Sequence, residues 1–221
     1  MAMDQPLAPG PETTLDLEVL IAAAPALQSI TVYENDDPLL SIAAAIANAK
    51  TRPDVISISL GDCENDIASN LVTVRVLDTL FALAAGSGTS TLASTADSGS
   101  TSCLNADGEV LPVLTPSYPA TSPYVTAVGG TNISLDAANQ LTGEWVWNGS
   151  PQDTGAGTGG QSLLFPSPWW QNTGLPTPNR TVPDISALAD NHPGYAIYCT
   201  NPGCATFVPN PPWGAVGGTS A

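Results

Sequence analysis

Ser220 stands in the run Gly217-Gly218-Thr219-Ser220-Ala221, where a glycine pair ahead of a Thr-Ser step lets the chain turn sharply and present a hydroxyl. A helix beginning after Ser220 would set its N–H groups beside that oxygen, where a developing oxyanion could be held. The same five residues also read as an ordinary loop. Glu12 and Asp16 lie four apart in a stretch of helical composition, so their carboxylates share a face, with Cβ atoms roughly 5–6 Å apart. Like charges that close disfavour each other's ionisation and titrate as a unit. That suits a general base with a second acid behind it, although a solvated acidic helix start has the same sequence. Asp97, in Ala96-Asp97-Ser98-Gly99, follows an expected strand, at the end where open α/β sheets gather ligands and catalytic groups. Asp at such a corner is also ordinary turn chemistry.

Other candidates carry less. A Ser-His-Asp hydrolase would need the single histidine, His192, but Asn191-His192-Pro193-Gly194 is a turn sequence with no helix to orient a ring. A surface turn is expected there. Gly155 to Gly160 fits G-x-G-x-x-G but does not follow a strand, so a dinucleotide site is not expected. Asp62, Glu64 and Asp66 alternate like the start of a calcium loop, without the glycine and the closing Glu such a loop needs. Asn132, Asn148 and Asn179 head glycosylation triplets of the kind any Ser/Thr-rich chain contains by chance. The five tryptophans read as core and cleft wall.

The elements that must position these groups follow from local pattern. Residues 1–11 are Pro-rich and read as a loop, and 12–24 as a helix with an acidic first turn, stopped by Pro25. Ser29–Tyr33 is β-rich and short, as a strand should be. Asp36-Asp37-Pro38 caps an expected helix over Leu39–Lys50, and Asp54–Leu60 is the next strand. Leu71, Val74, Leu77, Phe81 and Ala84 mark a helix over Asp66–Ala85 ended by Gly86, and Thr91–Ala96 is a further strand. This alternation predicts an α/β fold, a parallel sheet with helices on both faces. Past Gly99 the chain becomes loop-rich, with short β-like pieces at Tyr124–Val128, Glu144–Trp147 and Tyr195–Tyr198.

Composition narrows the setting. At 221 residues with 43% hydrophobic, the chain can bury a core despite 20 Gly and 21 Pro. Twenty acidic residues against four basic ones give net −16, which excludes a nucleic-acid backbone and an anionic membrane surface as partners. No apolar run of membrane-spanning length and no signal peptide stand out. Four cysteines, Cys63, Cys103, Cys199 and Cys204, with one histidine and no Cys-x-x-Cys, read as two disulfides rather than a metal site. Three pairings are open; in one, Cys199–Cys204 closes a tight turn and Cys63–Cys103 forms a longer staple. The composition suits an extracellular, secreted protein.

Together these stretches resemble the catalytic domain of the sedolisins, serine-carboxyl peptidases on a subtilisin-like fold. The resemblance runs, in order, through Glu12-Thr-Thr-Leu-Asp16, Ala23-Ala-Pro25, Ile30–Tyr33, Val55–Gly61 and Ala96–Gly99. It continues through Tyr118–Thr131, Gly159–Ser162, Phe165–Gln171, Arg180–Ser186 and Gly218-Thr-Ser220. It implies Ser220 as nucleophile, Glu12 as general base and then acid, Asp16 as the acid that orients Glu12, and Asp97 in the oxyanion hole. Ser59-Leu60-Gly61 would offer backbone to an extended peptide substrate. A free carboxylate is a weak base, so Glu12 needs Asp16 to lift its proton affinity, and Asp97 can donate only while protonated. Both needs point to work at acid pH.

The resemblance also implies a Ca²⁺ ion, with ligands beyond the end of this chain, and a pro-segment of the protein's own. Residues 1–221 then read as a partial peptidase catalytic domain, with pro-segment, first strand, the helix after Ser220 and the calcium-site region outside it. Ala96 stands where the family usually has glycine. The expected activity is peptide-bond cleavage, endopeptidase or tripeptidyl peptidase, on a peptide or unfolded protein substrate. The competing expectation is a catalytically incompetent fragment that at most binds peptides.

Overall fold

Pro11 sits in the first turn of the opening helix, where its missing N–H costs nothing and its fixed φ fits the helix. In the computed structural model, which describes residues 10–35, 37–48, 52–105, 107, 109–149, 155–171, 177–206 and 212–221, this helix is α1 (Pro11–Ala23). Then come α2 (Pro38–Ala47), β1 (Val55–Ile58), β2 (Asp62–Cys63), α3 (Glu64–Ile67), α4 (Leu71–Gly86) and β3 (Ser90–Ser94). The second half holds β4 (Ser117–Tyr118), β5 (Thr126–Leu135), β6 (Leu141–Val146), β7 (Gly160–Pro166), β8 (Asn179–Val182), β9 (Ile185–Leu188), β10 (Tyr195–Tyr198) and β11 (Trp213–Val216).

The main sheet runs β1-β3-β5-β6, with β9 also on β5. Pairs β1–β3, β3–β5 and β5–β9 are parallel, and only β6 is antiparallel. α2 and α4 cover one face: Ile42, Val74, Leu77 and Phe81 pack on Ile56, Ile58, Ala93 and Ala127. α1 stands over the other face, where Asp16, Val19, Leu20 and Ala23 meet Ser57, Leu92, Val128 and Ile185 around a cavity of about 290 Å³. Its Leu15, almost fully buried, packs with Ile197, Cys199 and Cys204. The α/β layering expected from the sequence is therefore the one observed.

Four local expectations need correction. Ser29–Tyr33 is irregular, with Ile30 and Val32 exposed; no strand among the described residues pairs with it, and β-rich composition without a partner does not make a strand. The helix expected over Asp66–Ala85 is two helices: a 3₁₀ turn over Ala68–Asn70 interrupts it, and Asn70 restarts it by accepting the Thr73 N–H. The Glu64–Gly86 segment is, by length and composition, apolar enough to span a membrane, against the sequence reading. Its Val74, Leu77, Phe81 and Ala84 face lies in the core. The second half is also less loop-rich than expected, since β7–β8 and β10–β11 form antiparallel pairs of their own. The expected loop over residues 1–9 and the helix end at Lys50 lie outside the described residues.

Cys63 pairs with Cys103 and Cys199 with Cys204, which resolves the three pairings the sequence left open.

Candidate active site

α1 is aimed by its other contacts. Leu15 and Val19 pack toward β10, and the Tyr198 N–H donates to Glu18 at 2.7 Å. The Thr14 hydroxyl donates back to the Gly10 carbonyl at 3.0 Å. This leaves Glu12 and Asp16, one turn apart, on the side facing the C-terminal loop. There the Glu12 carboxyl lies within hydrogen-bonding reach of the Ser220 hydroxyl, with Asp16 and Asp97 close enough to act on its charge. Ser59, one residue past β1, donates its hydroxyl to Asp16 Oδ1 at 2.9 Å and also lies 3.3 Å from the Ser220 carbonyl oxygen. The four residues expected to act together are brought together.

Their protonation follows from the surroundings. Burial, and next the Asp16 charge, push the Glu12 carboxyl up to about 7, while the hydrogen bond with Ser220 pulls the other way. Burial pushes Asp16 up to about 6 against the Ser59 hydrogen bond. A carboxyl near 7 has the proton affinity of an imidazole, so Glu12 can accept the Ser220 proton as a histidine would. Because the two acids interact, these midpoints belong to the pair.

Asp97 is held from the other side of the loop. The Thr219 N–H and hydroxyl both donate to Asp97 Oδ1, at 2.8 and 2.9 Å, and the Thr219 hydroxyl oxygen accepts the Ala96 N–H at 3.0 Å. Gly218 has φ +133°, a conformation that side chains disfavour, and a Cβ there would stand 3.1 Å from Asp97 Oδ2. Ala96 has φ +82°, the kind of position glycine takes without strain. The G-x-G-x-x-G stretch proves to be a brace for this corner: Ala156 N donates to the Asp97 carbonyl, Thr158 N to the Ala96 carbonyl, and the Thr158 hydroxyl oxygen accepts the Ser98 N–H.

Ser59, Leu60 and Gly61 extend β1, an outer strand of the sheet, and Leu60 and Gly61 are exposed there. Gly61 is also a packing requirement, since a Cβ would come within 2.8 Å of the Tyr118 carbonyl oxygen. Sequence reasoning missed two contributors. Thr219 gave no signal beyond its place beside Ser220, and Ser59 was read only for its backbone. His192 lies in an exposed turn, 3.7 Å from Asp190, as expected. The alternating acids are not a calcium loop: Glu64 is fully buried and accepts from the Ser162 hydroxyl at 2.6 Å and the Leu163 N–H at 2.5 Å. Among the described residues the one cluster of metal-ligand types is Cys63, Asp66 and Cys103. Its cysteines are disulfide-bonded, and a single carboxylate does not fit the oxygen-rich shell calcium requires, so no step runs through calcium.

The mostly parallel sheet flanked by helices is a subtilisin-like α/β fold. No family model matches the chain. It is 36% identical to kumamolisin from Bacillus sp. (strain MN-32) over 204 residues, which is 87% of this chain and 35% of that protein. It is 38% identical to sedolisin from Pseudomonas sp. (strain 101) over 151 residues, 65% of this chain and 25% of the relative. Human tripeptidyl-peptidase 1 is 32% identical over 205 residues, 83% of this chain and 34% of the relative. A solved structure of Pseudomonas sedolisin (serine-carboxyl proteinase), complexed with two molecules of pseudo-iodotyrostatin, superposes with a TM-score of 0.79 at 29% identity. That match covers 95% of this chain and 56% of the other. The chain belongs to the sedolisin family, and spans about a third of the length of kumamolisin and of human tripeptidyl-peptidase 1.

Proposed function

We propose that this chain carries the catalytic groups of a serine-type peptidase that cleaves peptides or unfolded protein on the acid side of neutrality. The carrying observation is the Ser220 hydroxyl within hydrogen-bonding reach of a Glu12 carboxyl lifted to about 7. Glu12 takes the Ser220 proton as Oγ attacks the scissile carbonyl, then returns it to the leaving amine. Asp16 keeps Glu12 basic, and Ser59 orients Asp16. Asp97, held by Thr219, would serve the tetrahedral oxyanion. Rate therefore rises as Glu12 ionises. The Ser59–Gly61 edge, exposed at Leu60 and Gly61, would pair with the substrate backbone. The relatives include both sedolisin and tripeptidyl-peptidase 1, so internal cleavage and removal of N-terminal tripeptides are the two modes to assay. Two disulfides suit secretion into an oxidising compartment, and a pro-segment would hold the cleft until then.

No observation favours a peptide binder without catalysis. The test is peptide hydrolysis by wild type and Ser220→Ala. A loss of about 10⁴-fold or more is expected from losing the nucleophile, and equal rates would remove Ser220 from the reaction.

A further inference from the structure

The two carboxyl oxygens of Asp97 have different surroundings. Oδ1 accepts two hydrogen bonds from one residue, the Thr219 N–H at 2.8 Å and the Thr219 hydroxyl at 2.9 Å. Among the described residues Asp97 Oδ1 is the acceptor in reach of the buried Thr219 hydroxyl, so the hydroxyl proton goes to Oδ1 while its oxygen accepts the Ala96 N–H at 3.0 Å. Thr219 is only 4% exposed, so water does not replace these donors. Among the described residues Oδ2 has no hydrogen bond, and it lies against Gly218, where the missing side chain leaves it room.

We infer that Thr219 is a positioning residue that decides which oxygen of Asp97 presents a proton. A protonated carboxyl has one carbonyl oxygen and one hydroxyl oxygen. Oδ1 faces two donors, and a third hydrogen there would meet the Thr219 N–H head-on, so Oδ1 is the carbonyl oxygen. The proton sits on Oδ2, on the open side beside Gly218, in the loop that carries Ser220. Thr219 and Ser220 are neighbours in sequence, so one backbone step both places the nucleophile and turns the proton of Asp97 outward. Gly218 serves the same end by keeping Oδ2 uncovered. This deepens the peptidase reading and rests on it for kinetics only; the orientation of the Asp97 proton stands by itself.

The test uses the full chain with Thr219→Val, which removes the hydroxyl at nearly constant volume, and Thr219→Ser, which keeps both donors. The first readout needs no activity. In acid, the infrared difference between wild type and Asp97→Asn isolates the C=O stretch of protonated Asp97. Thr219→Val is expected to move that band to higher frequency, because its carbonyl oxygen has lost a donor, and Thr219→Ser to restore it. An unmoved band puts the proton on the other oxygen and overturns the inference. If Thr219→Val does not fold, Thr219→Ala gives the same readout.

The second readout is kinetic. Thr219→Val should lower kcat by about ten- to a hundredfold, the scale of a misaligned oxyanion donor, with KM changed by less than about twofold. In an Asp97→Ala background the same substitution should cost almost nothing, because its effect passes through Asp97. An equal penalty with and without Asp97 overturns the inference. Activity that survives Ser220→Ala sinks the peptidase reading instead, and leaves the infrared result to stand or fall on its own.

Discussion

Two groups of acids in this molecule do opposite things. Glu64 is fully buried and the Asp184 side chain is 18% exposed, and both are met by donors. Glu64 takes the Ser162 hydroxyl and the Leu163 N–H, while Asp184 takes the Arg180 guanidinium at 2.7 and 2.5 Å and the Ala127 N–H at 2.8 Å. They tie distant parts of the chain together. Glu12 keeps part of its surface exposed and Asp16 is half-buried, and their neighbours are other acids and single hydroxyls. Burial with matched donors anchors a fold, whereas partial burial beside a like charge makes a proton carrier.

The comparison is broken most severely if Glu12 is dispensable. Glu12→Gln should reduce kcat/KM by about 10³–10⁴-fold, near the upper end for a general base, with the urea midpoint at pH 4, where Glu12 is already protonated, essentially unmoved. The anchors should behave in reverse. Arg180 is completely buried over the Trp170 ring, 4.8 Å from its centroid, and Arg180→Leu would strand the Asp184 charge. A loss of about 3–5 kcal/mol in urea unfolding is expected, with activity per folded molecule retained. Glu64→Gln sets an amide nitrogen against one of two donors and should cost about 1–3 kcal/mol, again without a change in kcat.

The proton carriers also give stability an unusual pH dependence. Folding raises Glu12 from 4.5 to about 7 and Asp16 from 3.8 to about 6, so the native state holds protons more tightly than the unfolded chain. Their contribution is therefore complete below about pH 4 and is lost as pH rises through 6 to 7. The urea midpoint should be higher at pH 4 than at pH 7.5, and the Glu12→Gln/Asp16→Asn double variant should flatten that slope. A slope unaltered by the double variant would assign it to the acidic surface as a whole. The smallest expected effect is at the strained corner: Ala96→Gly relieves φ +82° and should stabilise by about 1 kcal/mol, visible as a raised melting temperature.

Much of the site could be read from local spacing, because its members are local signals: two acids one helical turn apart, an Asp after a strand, a hydroxyl after two glycines. β1, β3, α1 and α2 were legible for the same reason. What escaped depends on partners far away in the chain. The Ser29–Tyr33 segment has the composition of a strand and no neighbour to pair with. The role of Glu64 as an anchor has no local signature, because its two donors lie 98 and 99 residues on. The Gly155–Gly160 stretch matches a dinucleotide motif without the strand it needs, and only its contacts with Ala96–Gly99 show what its glycines accommodate. Spacing shows which groups can meet within an element, while long-range packing decides which of them stay charged, bound or free.

The central claim is that Glu12 is a carboxyl made as basic as an imidazole by its site and partly by Asp16. Titration of the Glu12 carboxyl carbon by NMR, in wild type and in Asp16→Asn, tests it directly. The account predicts a midpoint near 7 in wild type, moved downward in the variant but still above 4.5, since burial remains when the Asp16 charge is gone. A wild-type midpoint near 4.5, indifferent to Asp16, would contradict it.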